Sequence, residues 1–479
     1  MVRVAVIGGG ISGLSTAYEI EQQATAAGQD IEVVVVESDE RLGGKMKTDL
    51  VDGFICEYGP QGFVDNKPEP LDLCLRLGLD SELVRADDAA AKRYVFLDGR
   101  LQLLPMSPPA AIKTKMISFR GKLRAAWELT TGPGDPDKDE SIAEFGRRHL
   151  GREIVDKLIA AMVVGIYAGD AEQLSLKSCF PVMSALEKEG GGSLIKAQMR
   201  RQKAKRQKAK AEGAPVVDEG PKAEGIVGPS GRLTTFNEGM AQIIERLKTR
   251  LKGDILTGAE VKDVTREGGG YTLVFAGGDR LSADAVVIAT PAYVAGRLLR
   301  DLSEELASLV DGIPYVPVNV VVVGYDQKGF DHDLDGFGFL APKREGLGIL
   351  GALWVSSIFK GQAPDDQVAI RLMLGGAINP DVTNLDDADT VELSQRELRK
   401  TMGVKADPGF VRVIRHERAI PQYVIGHGAR LEEIAEALKP LNGLYLTGNA
   451  YKGVGFNDCI INARAIAEQV VEYLESGIK

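Results

Sequence analysis

Along the first forty or so positions, the period of hydrophobic and polar residues changes in a definite order. Val2 to Ile7 is an apolar run, a glycine-rich turn follows, and apolar residues then recur at helical spacing. Ile31 to Val36 is again continuous and β-branched apart from Glu32, and it ends at Glu37. Unbroken apolar runs of this length predict strands buried on both faces, and therefore a parallel sheet with helical crossovers. Ala283 to Pro291 repeats the pattern and ends in a small-residue turn, as do Leu444 to Asn449. Residues 141–166 have helical spacing and begin Ser-x-x-Glu, the sign of a capping box. Further helices are expected from Phe236-Asn237-Glu238-Gly239-Met240 to Leu251 and over 457–476. Val316 to Tyr325 and Val368 to Leu374 read as strands of a mainly antiparallel sheet.

The turn after the first strand carries the first candidate chemistry. Gly8, Gly9, Gly10, Ile11, Ser12 and Gly13 contain the G-x-G-x-x-G spacing, in which the glycines permit a tight turn, backbone approach to a pyrophosphate, and close packing of helix on strand. A diphosphate would lie on the helix N-terminus. Glycine-rich turns also occur as plain connections. Here, however, strand, glycines, helix, second strand and terminal acid occur in the order that dinucleotide binding requires, with Glu37 placed to bond ribose hydroxyls.

Length and composition then set the organisation. At 479 residues the chain exceeds one compact core, so two or three domains are expected. The expected fold is α/β: a Rossmann-type dinucleotide-binding domain assembled from discontinuous segments (1–91, 236–295 and 421–479), a helical domain (92–198), a charged flexible linker (199–225), and a mixed α+β domain with a mainly antiparallel sheet (296–420). A net charge of -10 argues against nucleic acid as a partner. Cys56, Cys74, Cys179 and Cys459 lack metal-ligand spacing, as do the histidines, so no metal site is expected and the thiols fit a reducing, cytoplasmic compartment. Met1 leads straight into the first strand, leaving no room for a signal peptide, and no apolar run reaches the roughly 18 residues of a spanning helix.

Two stretches are basic. Between Lys92 and Arg124, basic residues alternate with Leu103, Leu104, Met106, Ile112, Met116, Ile117 and Phe119, a mixture that suits either a membrane surface or a solvated helix and loop with buried neighbours. Seven of the eleven residues from Arg200 to Lys210 are basic, the mark of a solvated helix end or of lipid contact.

Glu40-Arg41-Leu42-Gly43-Gly44, directly after the ribose acid, resembles the extended signature of FAD-binding oxidases of the amine oxidase, phytoene desaturase and protoporphyrinogen oxidase superfamily. More specific segments are EYGPQGF at 57–63, FGRRHLG at 145–151, GIYAGDAEQLSLKSCFP at 165–181, GFGFL at 336–340, IPQY at 420–423 and GNAYKGVGFNDCI at 448–460. With them the chain resembles the protoporphyrinogen oxidase family over nearly its full length, which implies that the Rossmann-type domain is FAD-binding, that 92–198 form a membrane-associating and substrate domain, and that 296–420 form a substrate-binding domain.

That resemblance implies FAD-dependent removal of six hydrogens from protoporphyrinogen IX, with molecular oxygen as acceptor and hydrogen peroxide as by-product. Coproporphyrinogen III, carotenoids and amines are alternative substrates, and carriage of tetrapyrroles without turnover is an alternative of another class. It implies a non-covalent FAD site of Gly8 to Gly13, Glu37, Ser38, Arg41, Gly44, Lys45, Gly59, Pro60, Gln61, Gly62, Val261, Asn449, Val454, Gly455 and Phe456. The implied substrate residues are Arg93 for a propionate, Gly165 at the ring, Phe337 and Leu340 around the macrocycle, and Met373 nearby. Gln61 and Lys45 depart from residues found in some relatives, so no catalytic base is named. Peripheral membrane contact on the cytoplasmic face, ferrochelatase and a second copy of the chain stand as candidate partners.

Overall fold

The computed structural model describes residues 2–211, 231–330 and 332–477. The chain divides into two compact units, one of Met1–Arg85, Arg232–Pro314 and Ala429–Lys479, the other of Ala86–Gly231 and Tyr315–Gly428.

The first unit is built on a five-stranded parallel sheet, in the order Ile255–Leu256, Ile31–Val36, Val2–Ile7, Ala285–Ile288, Leu444–Leu446. Val4 lies between Val33 and Ala285 in register, and all three are buried. One face of the sheet, with Val4, Val6, Val33, Val35, Ala285 and Val287, is covered by helices, and the alternate residues Ala5, Val34, Val36, Val286 and Ile288 are buried as well, which explains the continuous apolar runs. The helix Ile11–Ala26 packs against the C-terminal helix Phe456–Glu475, and Leu14, Ile20, Ala467 and Val470 close the core. A three-stranded antiparallel meander (Val261–Glu267, Gly270–Phe275, Arg280–Ala283) leads into the fourth parallel strand.

The second unit carries a seven-stranded sheet, in the order Phe410–Pro421, Tyr315–Asp326, Gln367–Gly375, Gly351–Trp354, Gly338–Leu340, Tyr94–Leu97, Arg100–Leu103. Every pairing is antiparallel except that of Gly338–Leu340 with Tyr94–Leu97. Alternation sorts its two faces. Val321, Val323, Ile370, Leu372 and Trp354 pack in one core with Leu393 and Leu398 of the helix Asp387–Met402. Val320, Met373, Gly351, Leu340 and Val95, neighbours by register, form a row on the other face.

Several boundaries differ from those read in the sequence. Segment 92–198 is not purely helical, because Tyr94–Leu97 and Arg100–Leu103 join the large sheet, placing it in the same unit as most of 296–420. The helices Ala292–Leu299 and Glu304–Asp311 belong to the first unit, and 86–91 and 421–428 to the second. The expected helix over 141–166 does begin with a complete Ser141/Glu144 capping box. It stops at His149, because Gly151 takes φ +88° and starts a new helical stretch that contains a π-helical turn at Val155–Ile159. The helix Leu194–Ala211 covers the start of the expected linker, and 212–225 lie outside the described residues. Among the described residues, no helix is long and apolar enough to cross a membrane, and no group of three or more His, Cys, Asp or Glu could hold a metal ion.

Candidate functional site

At the carboxyl ends of the parallel strands the first unit encloses a cavity of about 410 Å³. This is where α/β sheets bind ligands, and the volume lies in the range of small-molecule sites. Gly8, Gly10, Ile11, Ser12, Glu37, Ser38, Gly44, Lys45, Val261 and Asn449 line it.

The two key glycines act differently. A Cβ on Gly13 would lie 1.8 Å from the Gly8 carbonyl oxygen, so only glycine lets the helix start this close to the strand. A Cβ on Gly10 would meet nothing nearer than the Gly43 oxygen at 4.0 Å and would instead fill the cavity. Gly43 N–H donates to the Gly9 carbonyl at 2.8 Å, bringing the second glycine pair alongside the first.

Glu37 is buried. Its Oε2 accepts from Gly9 N–H at 2.7 Å, and its Oε1 from Asp39 N–H at 2.9 Å and Ser38 Oγ at 3.1 Å. These bonds hold the carboxylate on the cavity wall, and a carboxylate retains capacity to accept ribose hydroxyls beside them. Lys45 is half-buried, and desolvation pushes its ammonium down to about 8. An anion in the cavity would reverse that penalty.

The remaining expected cofactor residues lie in the shell around the cavity rather than on its lining. Arg41 donates to the carbonyls of Leu42 (3.0 Å) and Gly44 (2.6 Å), bracing the glycine turn. A Cβ on Gly59 would lie 2.6 Å from the Lys45 oxygen, and one on Gly62 equally close to the Thr234 oxygen, so the loop that also contains Pro60 and buried Gln61 is pressed onto neighbouring backbone. Phe456 packs against Phe63 with centroids 5.0 Å apart and the rings tilted by 33°, while Val454 and Gly455 lead into the C-terminal helix. The first turn of that helix reaches the cavity through Cys459, whose thiol burial pushes up to about 11.

Sequence reading missed Thr290, Pro291, Tyr293 and Arg297, which also line the cavity. The signal was present, since a Thr-Pro turn ends a buried parallel strand there. Thr290 Oγ1 is buried without a partner among the described residues. The bare Gly10 backbone, the acid on the wall, the cation and this idle hydroxyl suit a dinucleotide.

In the second unit, Leu340, Gly351 and Met373 adjoin by register, and a Cβ on Gly165 would lie 2.9 Å from Leu340 Cδ2. Gly165 is exposed, and Leu340 and Met373 are half-buried, so the row presents an apolar surface. Next to it in the sheet, Phe337 N–H donates to the Lys92 carbonyl at 2.8 Å, and the Arg93 guanidinium lies over the Phe337 ring, 5.2 Å from its centroid. Lys92 pairs with Asp335, whereas Arg93 makes no ion pair with any described residue. Burial lowers the Arg93 pKa.

A family profile, flavin containing amine oxidoreductase, matches residues 11–471. Over 483 residues the chain is 29% identical to coproporphyrinogen III oxidase of Bacillus subtilis (strain 168), covering 99% of this chain and 98% of that protein. It is 32% identical over 485 residues to chloroplastic protoporphyrinogen oxidase 1 of Arabidopsis thaliana, covering 98% and 88%. A crystal structure from Exiguobacterium sp. 255-15, provisionally called a protoporphyrinogen oxidase, superposes with a TM-score of 0.81 at 28% identity, covering 99% of each chain.

Proposed function

Because the chain belongs to the flavin-containing amine oxidoreductase family, we propose that it oxidises a porphyrinogen to the porphyrin with FAD as cofactor. Six hydrogens leave the substrate, and three molecules of dioxygen become three of hydrogen peroxide. Gly8, Gly10, Glu37, Lys45, Thr290 and Asn449 would hold the cofactor. When bound, the flavin supplies hydride acceptance and passes the electrons to oxygen. The protein's part is to bind and orient a flat, hydrophobic tetrapyrrole that carries carboxylates.

The observation that carries this reading is Arg93. A guanidinium without an acidic partner among the described residues, partly desolvated on Phe337 and beside the apolar row of Leu340 and Met373, fits a carboxylate at the edge of an apolar ring. Protoporphyrinogen IX, with two propionates, is the substrate we favour. Coproporphyrinogen III, with four, is a second reading, supported by the full-length likeness to the Bacillus subtilis enzyme.

Porphyrin fluorescence with each chemically reduced porphyrinogen, and oxygen uptake alongside, tests the reading. Wild type oxidises at least one of them with peroxide release; inertness toward both in flavin-loaded protein would reject it. Arg93→Ala should lower kcat/KM about ten- to hundredfold, the equivalent of roughly 1.5 to 3 kcal/mol for a charge-assisted bond.

Peripheral attachment to an anionic membrane is part of the same proposal. Phe119, Leu123 and Trp127 follow one another at intervals of four along the helix Phe119–Ala126 and the turn after it, and they are 76%, 54% and 69% exposed. Exposed Lys113, Lys115 and Arg120 occupy the same stretch. Arg124 is not part of this surface, since it caps the helix Ile142–His149 by donating to the carbonyls of Arg147 and Arg148.

A further inference from the structure

The helix Ala160–Tyr167, which presents Gly165 to Leu340, ends in an unusual way. Its last residue, Tyr167, is buried, and the equally buried residue that terminates it, Ala168, takes φ +47° and ψ +28°, a left-handed conformation that alanine rarely adopts. Such an ending persists only where its surroundings over-determine it.

Two bonds from elsewhere in the second unit do so. Ala377 N–H, just beyond the strand Gln367–Gly375 that bears Met373, donates to the Ala168 carbonyl at 2.8 Å. The side chain of Gln422, past the end of the strand Phe410–Pro421, donates from Nε2 to the Tyr167 carbonyl at 2.9 Å. Gln422 is buried, and the same amide nitrogen faces the carbonyls of Ile420 at 3.2 Å and Pro421 at 3.3 Å. A Cβ on Gly169 would lie 2.5 Å from its Oε1, so glycine at 169 leaves the amide room to sit here. A buried donor group with three carbonyls around it does a job that no apolar residue and no carboxylate can do.

We propose that Gln422 is a positioning residue for substrate: by donating to the end of this helix it fixes the separation of Gly165 from Leu340, the apolar surface against which the macrocycle lies. This rests on the porphyrinogen reading. Gln422 itself touches no reacting atom. It acts through two residues of backbone, from Tyr167 back to Gly165.

The test uses full-length, flavin-loaded Gln422→Leu and Gln422→Glu with whichever porphyrinogen wild type oxidises, measured from pH 6 to pH 8.5. Gln422→Leu, lacking the donor, should lose at least tenfold in kcat/KM at every pH and bind the porphyrin product several-fold more weakly by fluorescence quenching, with flavin content unchanged. Gln422→Glu should match that loss at pH 8.5, where a carboxylate would face three carbonyls. It should regain activity toward pH 6, where a neutral acid donates to Tyr167, because burial and those carbonyls raise the pKa of this acid. A role in folding alone would not give that pH-dependent rescue relative to wild type. Full turnover and product binding in Gln422→Leu, a flat ratio to wild type in Gln422→Glu, or loss of flavin and cooperative unfolding in both would each overturn the proposal. Inertness of wild type toward both porphyrinogens would instead reject the functional reading, leaving the product-binding comparison as the measure of Gln422.

Discussion

At the scale of single residues, Gly10 and Gly13 belong to one motif but are constrained by different neighbours. Gly10→Val adds bulk to the cavity and little strain, so the protein should fold with an unchanged melting temperature and elute without flavin. Gly13→Ala forces a methyl into the Gly8 carbonyl and should lose stability, by about 1 to 3 kcal/mol or more as overpacking does. Flavin absorbance after gel filtration, with thermal unfolding in parallel, separates the two; a flavin-replete Gly10→Val would remove this cavity as the cofactor site. Lys45 makes a pH-dependent prediction. In the free protein its pKa stands near 8 because burial penalises the cation, and an anionic cofactor would raise it. The bound state then holds more protons from about pH 8 up to the raised value, so flavin affinity is full below pH 8 and weakens as pH rises through that window. Titration of deflavinated protein should show this slope in wild type and not in Lys45→Met.

At the scale of elements, the helical part of the second unit is tied by a buried polar network. Glu128, fully buried in a short turn, accepts from His149 Nδ1 (3.1 Å), Ser193 Oγ (2.8 Å), and Leu194 N–H (2.5 Å) and Ile195 N–H (3.3 Å) at the start of the helix Leu194–Ala211. Burial alone would raise the Glu128 pKa, but bonds from His149, Ser193 and the two amides outweigh it and hold the carboxyl below its ordinary value. A depressed carboxyl contributes stability above the unfolded pKa, roughly 4.3, and loses it as pH falls through the folded value. Glu128→Ala should therefore cost on the order of 3 kcal/mol at pH 7, leaving several buried donors unmet. The gap in melting temperature between wild type and Glu128→Gln should shrink below about pH 4.3; a constant gap would show that the charge is not what matters. Nothing in the sequence marks Glu128, because its partners lie 21 to 67 residues away. The parallel strands, by contrast, were legible: a strand covered on both faces must be apolar throughout, and Val2–Ile7 and Ile31–Val36 are largely so. Gly10 and Glu37 were legible because the strand–turn–helix unit that brings them together is local. Thr290 and Gln422 were not singled out, since their neighbours arrive by crossovers. Tyr94–Leu97 was lost in a basic stretch although its hairpin with Arg100–Leu103 is local, joined by Asp98-Gly99 with φ +52° and +76°; only its other partner, Gly338–Leu340, lies more than two hundred residues on.

At the scale of the whole molecule, the question is how a chain of net charge -10 could approach an anionic surface. Screening supplies part of the answer, since at physiological salt charges beyond about 8 Å are largely hidden and the local patch dominates. Each Lys or Arg near such a surface contributes on the order of 1 kcal/mol, so Lys113, Lys115 and Arg120 could supply about 3 kcal/mol and Phe119, Leu123 and Trp127 the insertion energy. Neither contribution alone gives stable attachment, which is the condition for reversible binding. Flotation with vesicles of mixed neutral and anionic lipid should thus capture the protein at low salt and release it at high salt. Trp127→Ser with Phe119→Ser should abolish capture while leaving porphyrinogen oxidation in detergent solution unchanged, as these exposed side chains take no part in the cavity or the apolar row. Capture by neutral vesicles to the same extent, or capture of the double variant, would refute attachment through this stripe. Release by salt with loss of activity would mean instead that the patch contributes to turnover.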